Sequence, residues 1–288
     1  MPFILYLLTI IIALQSCDKI DYPVVKKDLV KGSSFILKNN TAYSNSKKIL
    51  LEDYTGHTCG NCPPAAEIAE QLSGVYGQSL VVMAVHAGFF ARIKVPDYPV
   101  TYTTVTGNDW DGSSGFGVSA VGNPNGMVNR KVFNSGRIQK ESNWGALVST
   151  TLKEPFVLKL DAYTEYDTSL RALNASVKAT FKSAYPNPTR LCLVLTEDQI
   201  IGSQTDYRKS PDLNPTYEFN HVLRGALNGS WGSVLRSGSV LAGDTARVSS
   251  KDFKVNSSFK DRHLVLVAIA FDELTREVLQ VDKLKIRD

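Results

Sequence analysis

Two cysteines three positions apart, Cys59 and Cys62, are the residues best suited to chemistry in this chain. They follow an apolar segment, Ile49–Tyr54, and a tight glycine turn. After them Ala65, Ile68, Ala69 and Leu72 recur at helical spacing, predicting a helix from Pro63 to about Val75. Pro63 and Pro64 suit a first helical turn, where no intrahelical N–H is lost. Cys59 therefore falls at or just before a helix N-terminus. Unpaired N–H groups and the positive end of the helix dipole favour a thiolate there. Cys62 lies one turn on, close enough to form a small disulfide ring with Cys59. This spacing serves either half of a zinc site or a thiol–disulfide pair. The other cysteines are Cys17 and Cys192, and the four histidines are scattered, so neither metal nor cofactor is expected. Whether the pair turns over or rests as a structural disulfide stays open.

The segment Asp53–Cys62 resembles the active-site segment of the thioredoxin superfamily. The resemblance implies a disulfide between Cys59 and Cys62, with Cys59 as the attacking sulfur and Cys62 as the resolving one. It makes Asp53, six residues before Cys59, a buried acid that carries a proton, and Pro124 a cis-proline that seats an extended substrate. Thr58 stands where many thioredoxins carry tryptophan, and Asn123 replaces the usual small or β-branched residue before the proline. The wider pattern adds the stretches Ala84–Phe90, Asn123–Arg130 and His221–Gly229. It is similar to the outer membrane protein 28 family of Bacteroidetes lipoproteins. That likeness implies a cell-envelope location, outer membrane with its face unresolved.

Several elements must position these residues. Leu80–His86 is a continuous apolar run of strand length, fitting a central strand buried on both faces. Strand, helix and strand then form a right-handed crossover, and His86 ends on the sheet edge that carries the cysteine turn. His86 and His57 are candidate modulators: His86 as a proton carrier, His57 as an exposed group whose protonated form stabilises the Cys59 thiolate. For each, a passive structural role is the competing reading. Residues 88–117 read as a long loop with one short helix, beside the cysteines. Met127–Phe133 reads as a strand and Asn143–Leu152 as a closing helix.

Beyond Pro155 the pattern changes to strand alternation over Phe156–Tyr163, Leu173–Phe181, Leu191–Ile201, Ala246–Val255, Leu264–Phe271 and Val278–Ile286. The expected fold is an α/β thioredoxin-like domain, 47–152, followed by an all-β immunoglobulin-like sandwich, 153–288. An insertion, 202–239, carries Tyr207, Tyr217, His221 and Trp231. Cys192 reads as core. At the other end, Phe3–Leu14 is apolar but short for a membrane span, and Leu14–Cys17 resembles a lipobox. Residues 1–16 are expected to be a signal peptide. Cys17 is the expected lipidation site, and 17–46 a tether that joins the chain to a membrane. Export also places the cysteines where a disulfide persists.

The net charge of +4, with basic residues spread along the chain and no base-stacking motif, argues against a nucleic-acid partner. No phosphate-binding glycine loop or hydrolase motif is present. Two functions compete. One is thiol–disulfide exchange on exported proteins or peptides. The other is a surface binding or structural lipoprotein with a static disulfide. Exchange requires a reachable Cys59 sulfur with the Asn123–Pro124 loop close by. A sulfur walled off from solvent leaves a lipid-tethered adaptor.

Overall fold

The computed structural model describes residues 35–39 and 46–287. The expected signal peptide, the lipidation site Cys17 and most of the tether lie outside the described residues. In chain order the elements are β1 (Phe35–Asn39), β2 (Ile49–Thr55), α1 (Cys62–Tyr76), β3 (Leu80–His86), α2 (Val105–Asp111), α3 (Val118–Val121), β4 (Asn125–Val128) and α4 (Glu141–Thr151). Strands then follow one another: β5 (Leu158–Asp167), β6 (Ala172–Phe181), β7 (Thr189–Glu197), β8 (Ile200–Thr205), β9 (Leu213–Phe219) and β10 (Val222–Ala226). The chain ends with β11 (Ser233–Arg236), β12 (Thr245–Lys254), β13 (Leu264–Asp272) and β14 (Val278–Lys285).

An eight-stranded mixed sheet runs β14-β13-β7-β10-β3-β2-β4, with β11 paired to β7. The pair β2–β3 is parallel and β2–β4 antiparallel. A four-stranded sheet, β1-β5-β6-β12, and the separate hairpin β8–β9 complete the pairing. This overturns the expectation of a thioredoxin-like α/β domain followed by an immunoglobulin-like sandwich. Strands β2, β3 and β4 do not close a sheet of their own, because β10 pairs with the outer edge of β3 and joins it to β7, β13 and β14. The join rests on the parallel pair Val222–Ala84 and on the Ala84 amide, which donates to the His221 carbonyl at 2.9 Å. An open strand edge carries unmet donors and acceptors, and here the 202–239 segment satisfies them. The result is a mostly β protein in which one sheet serves both halves.

Strand periodicity explains how the large sheet fills two cores. On β7, Leu191, Leu193 and Leu195 face the four-stranded sheet, while Cys192 and Val194 face the opposite way. On β13, Leu264, Leu266 and Ala268 point to the first side and Val265, Val267 and Ile269 to the second. The second core continues over Leu50, Tyr54, Met83 and Val85 to Trp110. Helices α1 and α4 cover the remaining face of β2–β3–β4, packing Ala65, Ala69, Trp144 and Val148 on Ile49, Leu51, Val82 and Val128. Two ion pairs fasten the frame. Lys48 meets Asp282 of β14 at 2.5 Å, and Arg130 grips Glu52 of β2 with two bonds of 2.9 and 2.7 Å.

Candidate functional site

Strand β2 ends at Thr55, and the chain turns tightly into α1. Gly56 is required there, since a Cβ would fall 2.3 Å from the Phe90 carbonyl carbon. The Cys59 amide donates to the Gly56 carbonyl at 2.9 Å, and the Cys62 amide to the Cys59 carbonyl at 3.2 Å. Cys59 and Cys62 form a disulfide, with Cys62 opening α1 and a proline following in the first turn. On one side the turn is held by residue 90: the Thr58 amide and hydroxyl both donate to the Phe90 carbonyl, at 3.1 and 2.9 Å.

On the other side lies the β8–β9 hairpin. The Thr205 amide donates to the His57 carbonyl at 2.9 Å, Gln204 Nε2 to the Cys59 carbonyl at 2.9 Å, and the Tyr207 amide to the Gly60 carbonyl at 3.1 Å. The Tyr207 ring lies against Gly60 so closely that a Cβ there would sit 2.4 Å from ring carbons. Arg208 adds a bidentate pair to Glu67 on α1, at 2.8 and 2.7 Å. Cys59 is 2% exposed and Cys62 1%. The hairpin covers the disulfide from a distance of nearly 150 residues along the chain. Sequence reading missed Gln204 and the packing role of Tyr207, and no local pattern signals a contact across that separation.

Asp53 lies on the α1 side of β2, the face that also carries Ile49 and Leu51. It is buried, and its Oδ1 has no hydrogen-bond partner. Burial first, and Glu141 second, push its carboxyl up to about 7. It borders a cavity of about 390 Å³ between α1 and β9, beside Ala66, Glu70, Tyr217 and His221. His221 joins the two sides of that cavity. Its Nδ1 lies 3.1 Å from Asp198, and its Nε2 lies 2.9 Å from Glu70 in an ion pair without hydrogen-bond alignment. Burial opposes its charge, but Asp198 and Glu70 outweigh it and raise the imidazole to about 9.

The peptide bond Asn123–Pro124 is cis. Asn125 pairs with Tyr54, so Pro124 follows on at the level of Thr55, at the end of β2 from which the cysteine turn departs. Thr55 is in turn opposite His86 on β3. The two candidate modulators are placed differently from the expectation. His57 is buried, not exposed, and its Nε2 lies 3.0 Å from the Arg92 carbonyl. Burial lowers its pKa and lowers that of His86 to about 3. Both rings sit in an aromatic chamber with Tyr98, Tyr102 and Phe219, their centroids 6.5 Å apart. A neutral His57 supplies no positive charge to Cys59. Cys192 is buried in the large-sheet core, and burial pushes its thiol up to about 12. Among the described residues no group of three or more His, Cys, Asp or Glu side chains can hold a metal ion.

Fold and site together define a β-rich protein built around a shielded two-cysteine turn. Residues 114–288, more than half of the chain, match the family described as outer membrane protein Omp28, and the chain belongs to that family. The match includes Pro124 but begins after the two cysteines. Among solved structures, HBP35 of Porphyromonas gingivalis is similar at 14% identity and a TM-score of 0.54, over 84% of this chain and 76% of that one. Protein AGR_C_4864 from Agrobacterium tumefaciens is similar at 11% identity and a TM-score of 0.50, over 84% and 96%. A domain of the outer membrane lipoprotein Omp28 from P. gingivalis aligns over 46% of this chain and 91% of its own, at 22% identity and a TM-score of 0.30. At these identities the first two likenesses concern the fold alone, and nothing rests on the third. A comparison with curated proteins finds no match.

Proposed function

We propose that this Omp28-family chain is a lipid-anchored protein of the cell envelope that works by binding. In this reading Cys59–Cys62 is a structural clamp. The observation that carries it is the burial of both cysteines, 2% and 1% exposed, in a turn whose His57, Cys59 and Gly60 carbonyls all accept bonds from the β8–β9 hairpin. Exchange begins with in-line attack on a disulfide sulfur, so access is a condition of the reaction. The clamp fixes the start of α1 against the end of β2. Closing so short a loop restricts the unfolded chain by about 2 kcal/mol on the chain-entropy account. The anchor would be Cys17, whose thioether-linked lipid would hold the chain to the membrane. The envelope location is supported by the family's description and by the apolar leader ahead of Leu14–Cys17.

A second reading, exchange on exported proteins, is favoured by one observation: the buried, unpartnered Asp53, whose carboxyl is raised to about 7. Groups perturbed in this way concentrate at working sites. After displacement of the hairpin and reduction of Cys59–Cys62 by a donor dithiol, a Cys59 thiolate would attack a partner disulfide, and Cys62 would release the partner as a dithiol while the Cys59–Cys62 disulfide re-forms. Asp53 would take and return the proton, and Pro124 would seat the partner. One experiment separates the two readings. A Cys62→Ala variant is expressed in its own envelope, exchange is quenched with acid, free thiols are alkylated, and mixed disulfides are sought by non-reducing electrophoresis. The clamp reading expects none above the level of the Cys59→Ala/Cys62→Ala control. A discrete trapped partner establishes exchange. Metabolic labelling with palmitate, lost in Cys17→Ala, tests the anchor.

A further inference from the structure

Far from the disulfide, three segments converge on a cavity of about 530 Å³: the link between α2 and α3, the turn between β4 and α4, and the turn between β13 and β14. Phe116 comes from the first, Ser135 and Arg137 from the second, Thr275 and Arg276 from the third. A volume of this size suits a small molecule.

The cavity holds an unbalanced charge. Three guanidinium groups surround the Phe116 ring: Arg130 at 5.1 Å, Arg137 at 5.3 Å and Arg276 at 5.8 Å from its centroid. Only Arg130 has an anionic partner, the buried Glu52. Arg276 stacks on Trp231 at 3.9 Å and gives one N–H to the Ser114 carbonyl at 2.9 Å. Among the described residues, neither Arg137 nor Arg276 has a carboxylate within ion-pair distance. The nearby acids are engaged elsewhere. Glu273 pairs with Arg190 at 2.7 Å, and Glu277 lies 3.7 Å from Lys131. Asp272 accepts from Tyr185, Asn187 and the amides of Leu274 and Thr275. Desolvation, then Arg130 and Arg276, lower the pKa of Arg137 against the smaller opposing pull of Glu277 and Glu52, and desolvation and Arg130 lower that of Arg276. Bringing an anion into the cavity would relieve this crowding of like charge.

Guanidinium forks with free N–H groups match the oxygens of carboxylates and phosphates. Two unpaired positive charges match a dianion better than a monoanion, and the cavity is larger than an inorganic anion needs. We propose that the cavity bounded by Phe116, Arg137 and Arg276 is a binding site for a phosphate monoester, with the two arginines gripping the phosphoryl oxygens and Phe116 forming the floor. This goes beyond the proposed function and stands without it, because no part of the cavity touches the cysteine turn.

The test uses the full-length protein in low-salt buffer, with binding read by calorimetry and by the fluorescence of Trp231, on which Arg276 stacks. The probes are inorganic phosphate, glucose 6-phosphate and acetate, with vesicles of phosphatidylcholine with and without phosphatidic acid. The expected result is saturable binding of both phosphates, at least tenfold tighter than acetate. Arg137→Gln and Arg276→Gln are each expected to weaken it at least tenfold. Arg276→Lys, which keeps the charge and loses the fork, should fall between, and the remote Arg247→Gln should bind as the parent does. Melting temperatures check that each variant is folded. Capture by phosphatidic acid vesicles, lost in the double variant, supports the site and assigns it to a lipid headgroup. Binding of glucose 6-phosphate without vesicle capture supports it and assigns it to a soluble ligand. Absence of saturable phosphate binding overturns the proposal. So does acetate bound as tightly as phosphate, or unchanged binding in Arg137→Gln/Arg276→Gln.

Discussion

Replacing Glu52 by Gln should produce one of the largest single-residue losses of stability in this protein. Glu52 and Arg130 are both fully buried, and the guanidinium makes two bonds to the carboxylate. Arg130 Nη1 already lacks a hydrogen-bond partner, so the site has no spare acceptor to offer. Glutamine keeps the volume but removes the charge and leaves a buried cation unpaired. Breaking a buried pair in this way costs about 3–5 kcal/mol. The ring of Trp110, 4.3 Å from the guanidinium, contributes on the order of 1 kcal/mol in the parent and in Glu52→Gln alike and does not change the balance between them. Total stability for a protein of this kind is roughly 5–15 kcal/mol, so the variant should be near its limit. Urea unfolding followed by tryptophan fluorescence reads the change as a lower midpoint at unchanged slope. The double variant Glu52→Met/Arg130→Met removes both charges together and should recover most of the loss. A Glu52→Gln loss under about 1 kcal/mol would refute the reasoning, since a pair that weak is not desolvated.

Three further outcomes follow from the same geometry. Asp53 has its carboxyl raised from 3.8 to about 7, so its contribution is fully present below about pH 4 and is lost as pH climbs through 7. Asp53→Asn should therefore flatten the stability profile between pH 4 and 7 and stabilise the protein by about 2–4 kcal/mol at pH 8, read by urea titration at each pH. His221 has its imidazole raised from 6.5 to about 9, so its stabilisation is complete below 6.5 and disappears as pH passes 9. Since the Glu70 side chain is 49% exposed, His221→Gln should lose only about 1–2 kcal/mol at pH 6 and almost nothing at pH 10. Gly60→Ala forces the Tyr207 ring off the turn; it should lower stability by about 1–3 kcal/mol and speed reduction of the disulfide by dithiothreitol several-fold. Adding Tyr207→Ala to it should restore the stability but not the slow reduction.

Local elements were legible because their signals are local. The run Leu80–Val85 is apolar throughout because β3 is buried on both faces, and the Ala65, Ile68, Ala69 and Leu72 repeat marks the face of α1 that packs on the sheet. The alternation of Leu191, Leu193 and Leu195 with Cys192 and Val194 reads as a strand, but not as one that serves two cores. What was not legible was the joining of strands. The 202–239 segment, expected as an insertion, supplies β10 and β11 to the large sheet and, with β8, the hairpin that covers the cysteines. Pairing partners far apart in sequence leave no periodic trace in either partner. The same holds for the site. Cys59, Cys62, Asp53 and Pro124 can be singled out by spacing and resemblance, but the burial of His57 depends on Tyr98 and Tyr102, and the bond to the Cys59 carbonyl comes from Gln204, nearly 150 residues away.

The shielded-clamp account is tested most directly by the reduction potential of Cys59–Cys62 in the folded full-length protein, measured against glutathione and dithiothreitol buffers alongside insulin-reduction turnover. A clamp held under the β8–β9 hairpin should equilibrate below about −300 mV and show no turnover above buffer. A potential between about −270 and −120 mV, in the range of working oxidoreductases, together with catalysed insulin reduction, would contradict it.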